Sequence, residues 1–261
     1  MNEIPLVNPE IPAPLPVVKR LWGGWATAGF GAVILVTLFI AMVVVIAIVV
    51  FVMVILQMGA TFSVEGFTDT INSYIGLLVS VSGIIAYTAA AGLTLAFIKI
   101  RGGAGIAEYL GLKRINWKTA LSVALITAAF LSLSALVNFY FHTDEGDTKT
   151  LTEIYNTSVW PALLWITVVV FAPLFEEGLF RGFLFEGFRR SRLGITGTIL
   201  ITSLVWTALH AGYSVASLGA IFIFGLVLGA VRYKTGSLWT TILMHAFYNT
   251  VGMTLIALNI G

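Results

Sequence analysis

Six polar side chains in the second half of the chain are of the types that carry out acid–base chemistry. They are two glutamates, an arginine, two histidines and an asparagine: Glu176, Glu177, Arg181, His210, His245 and Asn249. The sequence around them is almost entirely apolar. Ionisable groups in such a setting are costly to keep, so they usually belong to a functional site. If the six converge, they form a candidate catalytic site.

The two adjacent glutamates have different predicted roles. Glu177 and Arg181 are four residues apart, so they share a helix face, with the acid N-terminal to the base, the favoured order for an ion pair. Glu176 is rotated by about 100° around the same helix and has no partner within it. A carboxylate without a countercharge suits the work of a general base. We therefore expect Glu177 with Arg181 to orient the site and Glu176 to act as the base.

The composition indicates that these residues lie inside a membrane protein. Of 261 residues, 59% are hydrophobic and 10% are charged, with a mean hydropathy of +0.99. Soluble domains carry about 25% charged residues. Several apolar runs reach the roughly 20 residues that a helix needs to cross the bilayer, and they lack the alternation typical of barrel strands. The predicted fold class is all-α, a polytopic membrane protein.

Hydropathy predicts about seven transmembrane helices. They cover approximately residues 28–57, 73–98, 119–141, 160–181 with an extension to 188, 196–211, 215–232 and 237–258. Lys and Arg fall in alternate connections, and Asp and Glu fall in the intervening ones. The positive-inside rule then predicts a cytoplasmic N-terminus and an external C-terminus. We expect a multi-pass protein of the plasma or cell membrane.

The chain divides into three predicted regions. Residues 1–27 form a Pro-rich cytoplasmic tail, 28–158 a three-helix membrane region, and 159–261 a four-helix catalytic membrane region that holds all six polar residues. The tail contains too many prolines for a helix. The apolar segment after it is too long for a signal peptide and lacks a cleavage site, so we expect it to be a retained span.

The predicted helices bring the polar groups to similar depth, nearer the cytoplasmic side. With a turn near residues 193–194, Glu176 and His210 are each about 16 or 17 residues from it, so they can meet in an antiparallel hairpin. His245 lies about ten residues into the last span, and Asn249 is one turn further. Such a set can hydrolyse a peptide bond. Glu176 with His210 would activate a water, and His245 and Asn249 would donate to the oxyanion.

A metal-dependent alternative uses Glu176, His210 and His245 as ligands. One carboxylate and two imidazoles are a known catalytic zinc set, with water in the fourth position. The HExxH signature of soluble metalloproteases is absent, since an alanine follows each of the two histidines. We favour a mechanism that requires no cofactor, and a divalent metal such as zinc stays the alternative.

Three short motifs resemble those of the CAAX-protease and bacteriocin-processing family (CPBP, or Abi) of intramembrane proteases, which includes the type II CAAX-prenyl endopeptidases. "EEGLFR" at 176–181 matches that family's EExxxR, and "HAFYN" at 245–249 matches HxxxN/D. "WTALH" at 206–210 matches FxxxH, with Trp206 where the family usually has Phe. We expect the indole to give similar packing support.

The resemblance covers residues 171–249 and implies a function. It implies an intramembrane protease that cleaves a membrane-associated peptide or lipidated protein, in some members at a prenylated C-terminus. The family's site residues carry over to this chain as Glu176, Glu177, Arg181, His210, His245 and Asn249. The expected partners are the lipid bilayer and that substrate.

Two other function classes stay open: a non-catalytic immunity or scaffold protein, and a proton-coupled transporter that uses the same buried polar cluster. No internal repeat is evident, which weakens the transporter interpretation. The net charge is only +2 and there is no basic stripe, so we predict no nucleic-acid partner. The chain has no cysteine, which excludes thiolate nucleophiles and thiolate metal ligands.

Overall fold

The structure, a computed structural model, describes residues 21–57, 63–141 and 145–259. These residues form ten helices and no strand, which confirms the all-α fold class. The helices are α1 (Gly24–Gln57), α2 (Val64–Ser73), α3 (Ile75–Arg101), α4 (Ile106–Leu110), α5 (Trp117–Phe141), α6 (Glu145–Asn156), α7 (Pro161–Phe188), α8 (Gly194–Ala208), α9 (Val215–Thr235) and α10 (Leu238–Ala257). Residues 1–20 of the predicted tail lie outside the described residues.

Among the described residues, five helices are long and apolar enough to cross a membrane: α1, α3, α5, α7 and α9. α8 is apolar but has 15 residues, which span about 22 Å. α10 has 20 residues and does not belong to those five. Each of the seven predicted spans corresponds to a helix, while seven crossings and a cytoplasmic N-terminus stay predictions. Hydropathy missed the short helices α2, α4 and α6, which lie in the connections.

Basic and acidic connections lie at different ends of the bundle. Lys113 after α4, Arg189 after α7 and Arg232 near the end of α9 all line one cavity, and we call this side of the molecule the basic end. At the opposite end of α9, both carboxylate oxygens of Asp147 accept from the Ser214 N–H, at 3.0 and 3.2 Å. This sorting agrees with the alternation of charge along the sequence.

α7 is the central helix of the bundle. In the most apolar stretch of α7, 50% of the residues are buried, whereas in that of α1 only 6% are. Its apolar residues Phe175, Leu179, Phe180 and Phe183 are each 3% exposed or less. The aromatic ring of Tyr87 in α3 lies 5.5 Å from that of Phe175. Polar side chains on α7 are therefore held in the interior, where they must find partners on neighbouring helices.

Two π-helical segments interrupt α7, and the glutamates lie between them. The first covers Thr167–Phe171, and the second covers Gly178–Leu184. Glu176 and Glu177 belong to the α-helical stretch Ala172–Glu177. Single π turns occur often at functional sites, because they change the register of side chains and leave main-chain groups without their usual partners.

Pro173 explains one such unpaired group. In the first π segment the Ala172 N–H bonds to the Thr167 carbonyl. The next carbonyl, that of Val168, would face Pro173 in this register, and a proline nitrogen has no hydrogen to donate. A buried carbonyl without a donor is unfavourable, so a side chain from another helix is needed.

The hairpin of α8 and α9 is tightly packed because glycines line the contact. A Cβ atom added to Gly225 would lie 3.0 Å from Ser203 Cβ and 3.2 Å from Trp206 Cε3. One added to Gly229 would lie 2.9 Å from Ile199 Cγ2. The absence of side chains at these two positions lets α8 approach α9 and brings Trp206 against α7.

We predict that Asp147→Ala lowers the free energy of unfolding by about 1 kcal/mol, because the Ser214 N–H loses a charged acceptor. Burial acts to raise the pKa of Asp147, but hydrogen bonds from Ser217 and Ser214 outweigh it and hold this pKa below its usual value. The contribution is therefore complete at neutral pH and is lost as the pH falls through the lowered pKa.

The measurement is thermal unfolding of the detergent-purified protein at pH 7 and at about pH 3. The difference between wild type and Asp147→Ala should shrink at the lower pH. Asp69→Ala, a change to an exposed acidic residue of α2, serves as the control. An equal effect of both substitutions would contradict the assignment.

Candidate active site

A buried carboxylate, Glu177, joins two other members of the predicted site. Its Oε1 accepts from Arg181 Nη1 at 2.9 Å and lies 3.0 Å from His245 Nδ1. Glu177 and Arg181 are fully buried, and His245 is 4% exposed. The ion pair expected from the four-residue spacing is therefore present. Its third member comes from α10, which the spacing within α7 does not reveal.

The Arg181 guanidinium has partners on three sides. Besides Glu177, its Nη2 donates to the Gly225 carbonyl of α9 at 3.2 Å. Its guanidinium carbon lies 4.6 Å from the ring centre of Trp206, in a cation–π contact. A fully buried cation is tolerated only with such compensation. Arg181 thus ties α7 to both α8 and α9.

Glu176 occupies a different sector, as its rotation around the helix predicts. Its Oε2 accepts from the Trp206 indole N–H at 2.6 Å and lies 3.9 Å from His245 Nε2. Glu176 is 8% exposed. Within the described part of the chain its Oε1 has no hydrogen bond. The indole holds the carboxylate in position, and the carboxylate keeps lone pairs that can accept a proton.

The hydrogen bonds of the two histidines assign their protonated nitrogens. A carboxylate oxygen faces His245 Nδ1, and the Trp206 carbonyl oxygen lies 2.9 Å from His210 Nδ1. Because both oxygens can only accept, Nδ1 carries the hydrogen in each ring. Nε2 of His245 is then directed towards Glu176. Nε2 of His210 is left to bind a further group.

His210 does not contact Glu176 directly. No hydrogen bond or ion pair joins the two in the described residues. Trp206 contacts both, since its N–H bonds to Glu176 and its ring centre lies 5.3 Å from that of His210. The direct meeting expected from sequence is therefore not formed. The prediction used only the depth of the two residues along their helices. It took no account of the bulky Trp206 indole, which contacts both the Glu176 carboxylate and the His210 ring.

Asn249 lies one turn after His245 and satisfies the carbonyl that Pro173 leaves unpaired. Its Nδ2 donates to the Val168 oxygen at 2.8 Å. The amide nitrogen carries two hydrogens, so one of them is left for another acceptor. The side chain is half-buried. Asn249 therefore braces the first π segment and still has a donor, compatible with the predicted oxyanion role.

The three residues of the metal-dependent alternative do not fit a zinc site in this arrangement. Among the described residues, no group of three or more histidine, aspartate or glutamate side chains is arranged to hold a metal ion. Zinc ligands lie about 2.0–2.2 Å from the ion. Here the Trp206 ring packs against both imidazoles, 5.3 Å from the ring centre of His210 and 5.4 Å from that of His245. The donors do not converge on one point.

Trp206 belongs to the site in a way that the sequence analysis missed. The sequence predicts packing support only, whereas the indole N–H bonds to Glu176 and the ring covers Arg181. Trp206 is 3% exposed. A signal was available, because a buried indole N–H needs an acceptor and the unpartnered carboxylate was predicted at similar depth. No rule of spacing selects that acceptor among all others.

The part of the chain that holds these residues is similar to a known family. Residues 158–251 match the family model described as "Type II CAAX prenyl endopeptidase Rce1-like". This region is therefore similar to that family. The match confirms the family resemblance predicted from the three motifs, and it contains all six predicted site residues. It begins just before α7, so α1 to α6 lie outside it.

Two curated relatives match parts of the chain. An uncharacterized 24.3 kDa protein of Escherichia coli is 37% identical over 94 residues, which cover 35% of this chain and 43% of that protein. The UPF0177 protein YajF of Lactococcus lactis subsp. lactis (strain IL1403) is 27% identical over 131 residues, 47% of this chain and 61% of that protein. The chain thus spans about half the length of these relatives. No solved structure matches it significantly.

We predict that Arg181→Ala destabilises the protein strongly, by about 3–5 kcal/mol, because it leaves Glu177 buried without its cation. Thermal unfolding in detergent and the yield of monodisperse protein would measure the loss. Arg192→Ala, at an exposed arginine of the basic end, is the control and should leave unfolding unchanged. Arg181→Ala protein that unfolds at the wild-type temperature would contradict a structural ion pair.

Proposed function

We propose that the protein is an intramembrane endopeptidase in which Glu176 and His245 activate a water for attack on a peptide bond. One observation carries the proposal: Glu176 Oε2 and His245 Nε2 lie 3.9 Å apart. This separation is too long for a direct hydrogen bond, and a single water can bridge it. The attacking water would thus be held between a base and an imidazole.

The proposed reaction follows from these positions. Glu176 removes a proton from the water, and the water oxygen bonds to the substrate carbonyl carbon. This gives a tetrahedral oxyanion. When the intermediate collapses, the C–N bond breaks, and the protonated Glu176 returns the proton to the leaving amine. The products are a carboxylic acid and an amine, and the acid then loses its proton to the amine or to solvent. His210, which contacts Trp206 and has Nε2 available, would assist by orienting the water.

Stabilisation of the oxyanion is assigned to His245 and Asn249. His245 would donate from Nε2 when that nitrogen also carries a hydrogen, because its Nδ1 is already held by Glu177. Asn249 would donate its second amide hydrogen, since the first bonds to Val168. Donors that are fixed before the reaction stabilise developing charge effectively. Glu177 and Arg181 would then be positioning residues that hold the imidazole in place.

The substrate class rests on the membrane setting and on the family match. Five membrane-spanning candidates and the match to CAAX prenyl endopeptidases support an integral membrane protease. We propose that its substrate is a membrane-associated peptide, with a prenylated C-terminus as the first candidate. We also propose that the site lies nearer the cytoplasmic face, because Glu186 at the basic end is ten residues, about 15 Å, from Glu176.

The test is incubation of purified protein with matched prenylated and unprenylated C-terminal peptides, with the products identified by mass spectrometry. We expect loss of C-terminal residues from at least the prenylated peptide, and no effect of a metal chelator. If the folded protein cleaves neither peptide, the proposal fails. A transporter would instead lose substrate uptake, and not peptide cleavage, when Glu176 is neutralised.

Glu176→Gln should reduce cleavage by about 1,000-fold, because the amide cannot accept the proton while it keeps the shape of the side chain. Its oxygen can still accept from Trp206, so the fold should be retained. Glu153→Gln, in a connection away from the site, is the matched control and should cleave like wild type. Cleavage by Glu176→Gln at the wild-type rate would refute the role of this base.

Trp206→Phe should lower kcat by about tenfold with little change in KM, because it removes the hydrogen bond that fixes Glu176 and keeps an aromatic ring. Phe is the usual residue in the resembling family, so the variant is expected to fold. Trp160→Phe, at a residue that is 66% exposed, is the control. A rise in KM alone would argue that Trp206 contacts substrate and does not position the base.

A further inference from the structure

The cavity at the basic end lies away from the catalytic cluster. Its volume is about 400 Å³, within the range of small-molecule sites. The ends of α7 and α9 surround it, together with Leu21 and the connection that contains α4. Because two membrane-spanning candidates end at this cavity, we place it at the level of lipid headgroups.

The lining of this cavity has an excess of positive charge. Four cationic and two acidic side chains contribute: Lys113, Arg189, Arg190, Arg232, Glu108 and Glu186. Glu186 is already engaged, since its carboxylate lies 2.7 Å from Arg189 Nη2 and 3.2 Å from Arg232 Nη2. It therefore cannot neutralise further cations.

Two of the cations are available to a ligand. The Lys113 and Arg190 side chains are exposed and make no hydrogen bond or ion pair within the described residues. Tyr109 also lines the cavity and is 2% exposed, and its hydroxyl hydrogen has no acceptor among the described residues. A buried hydroxyl normally donates to a partner, so Tyr109 adds an unused donor to the wall of the cavity.

Much of the remaining lining is apolar, with Leu21, Ala104, Ala107 and Phe185 as members. A site with cations on one part and apolar side chains on another suits an amphipathic anion better than a free ion. Basic pockets between helices on one side of a membrane bind anionic headgroups in this way. We propose that the cavity is a binding site for the phosphate headgroup of an anionic phospholipid.

The site is connected to the catalytic region through Arg232. Its Nε donates to the Arg181 carbonyl at 2.8 Å, and one Nη2 contact goes to the Leu110 carbonyl at 3.1 Å. A bound headgroup would therefore neutralise charge next to the residue that anchors α7. The proposal does not depend on the peptidase function, because binding can be measured without a substrate.

The test measures lipid binding to detergent-purified protein by native mass spectrometry, with phosphatidylglycerol as the probe and phosphatidylcholine as the neutral comparison. The double variant Lys113→Ala/Arg190→Ala removes the two available cations. The control double variant Arg114→Ala/Arg192→Ala removes the same charge at the same end, from exposed residues that do not line the cavity. Thermal unfolding of both variants checks that they are folded.

We expect one saturable phosphatidylglycerol per protein, bound about tenfold more weakly by Lys113→Ala/Arg190→Ala and equally well by the control variant. Equal weakening by both variants would overturn the proposal, because it indicates diffuse attraction to a basic surface. Binding of phosphatidylcholine as tight as that of phosphatidylglycerol would also overturn it. Displacement of the lipid by equimolar inorganic phosphate would show a free-anion site and would exclude the lipid assignment.

Discussion

A fully buried guanidinium in the centre of the bundle sets the main constraint on this structure. Arg181 is stable there only because Glu177, a carbonyl of α9 and the face of Trp206 surround it. Each partner belongs to a different part of the bundle. Satisfying this one cation therefore fixes how α8 and α9 pack on α7, and the same contacts bring His245 to Glu177 and Trp206 to Glu176. Stability and site geometry come from one set of interactions.

The irregular course of α7 has a related consequence. Pro173 removes one backbone donor, and the π segment before it leaves the Val168 carbonyl to be satisfied by Asn249. The second π segment contains Arg181, whose carbonyl accepts from Arg232. In both π segments a side chain from a later helix donates a hydrogen bond to a backbone carbonyl. A polar residue near an active site can serve the backbone and the chemistry together, and Asn249 has hydrogens for both.

The two glutamates illustrate how neighbouring residues of one type acquire separate functions. Glu177 has no exposed surface and bonds to two cationic or cation-forming groups, so its environment suits a fixed anion. Glu176 keeps a little exposed surface and has one oxygen without a partner among the described residues. A rotation of one residue around a helix is enough to separate a structural carboxylate from one that can exchange a proton.

The sequence by itself determined the all-α membrane architecture. An apolar run long enough to cross the bilayer must hydrogen-bond its own backbone N–H and C=O groups, and an α-helix does so within the segment. The sequence also determined the Glu177–Arg181 pair, since partners four residues apart are local to one helix. The tertiary structure alone decided which groups from other helices reach each carboxylate. Counting residues along a helix predicts how deep a side chain lies, but neither the rotation of the helix nor the size of its neighbours. The count therefore paired Glu176 with His210, whereas Trp206 contacts both in the structure. The same limit applies to the zinc alternative, because convergence of donors on one point depends on the packing of three helices.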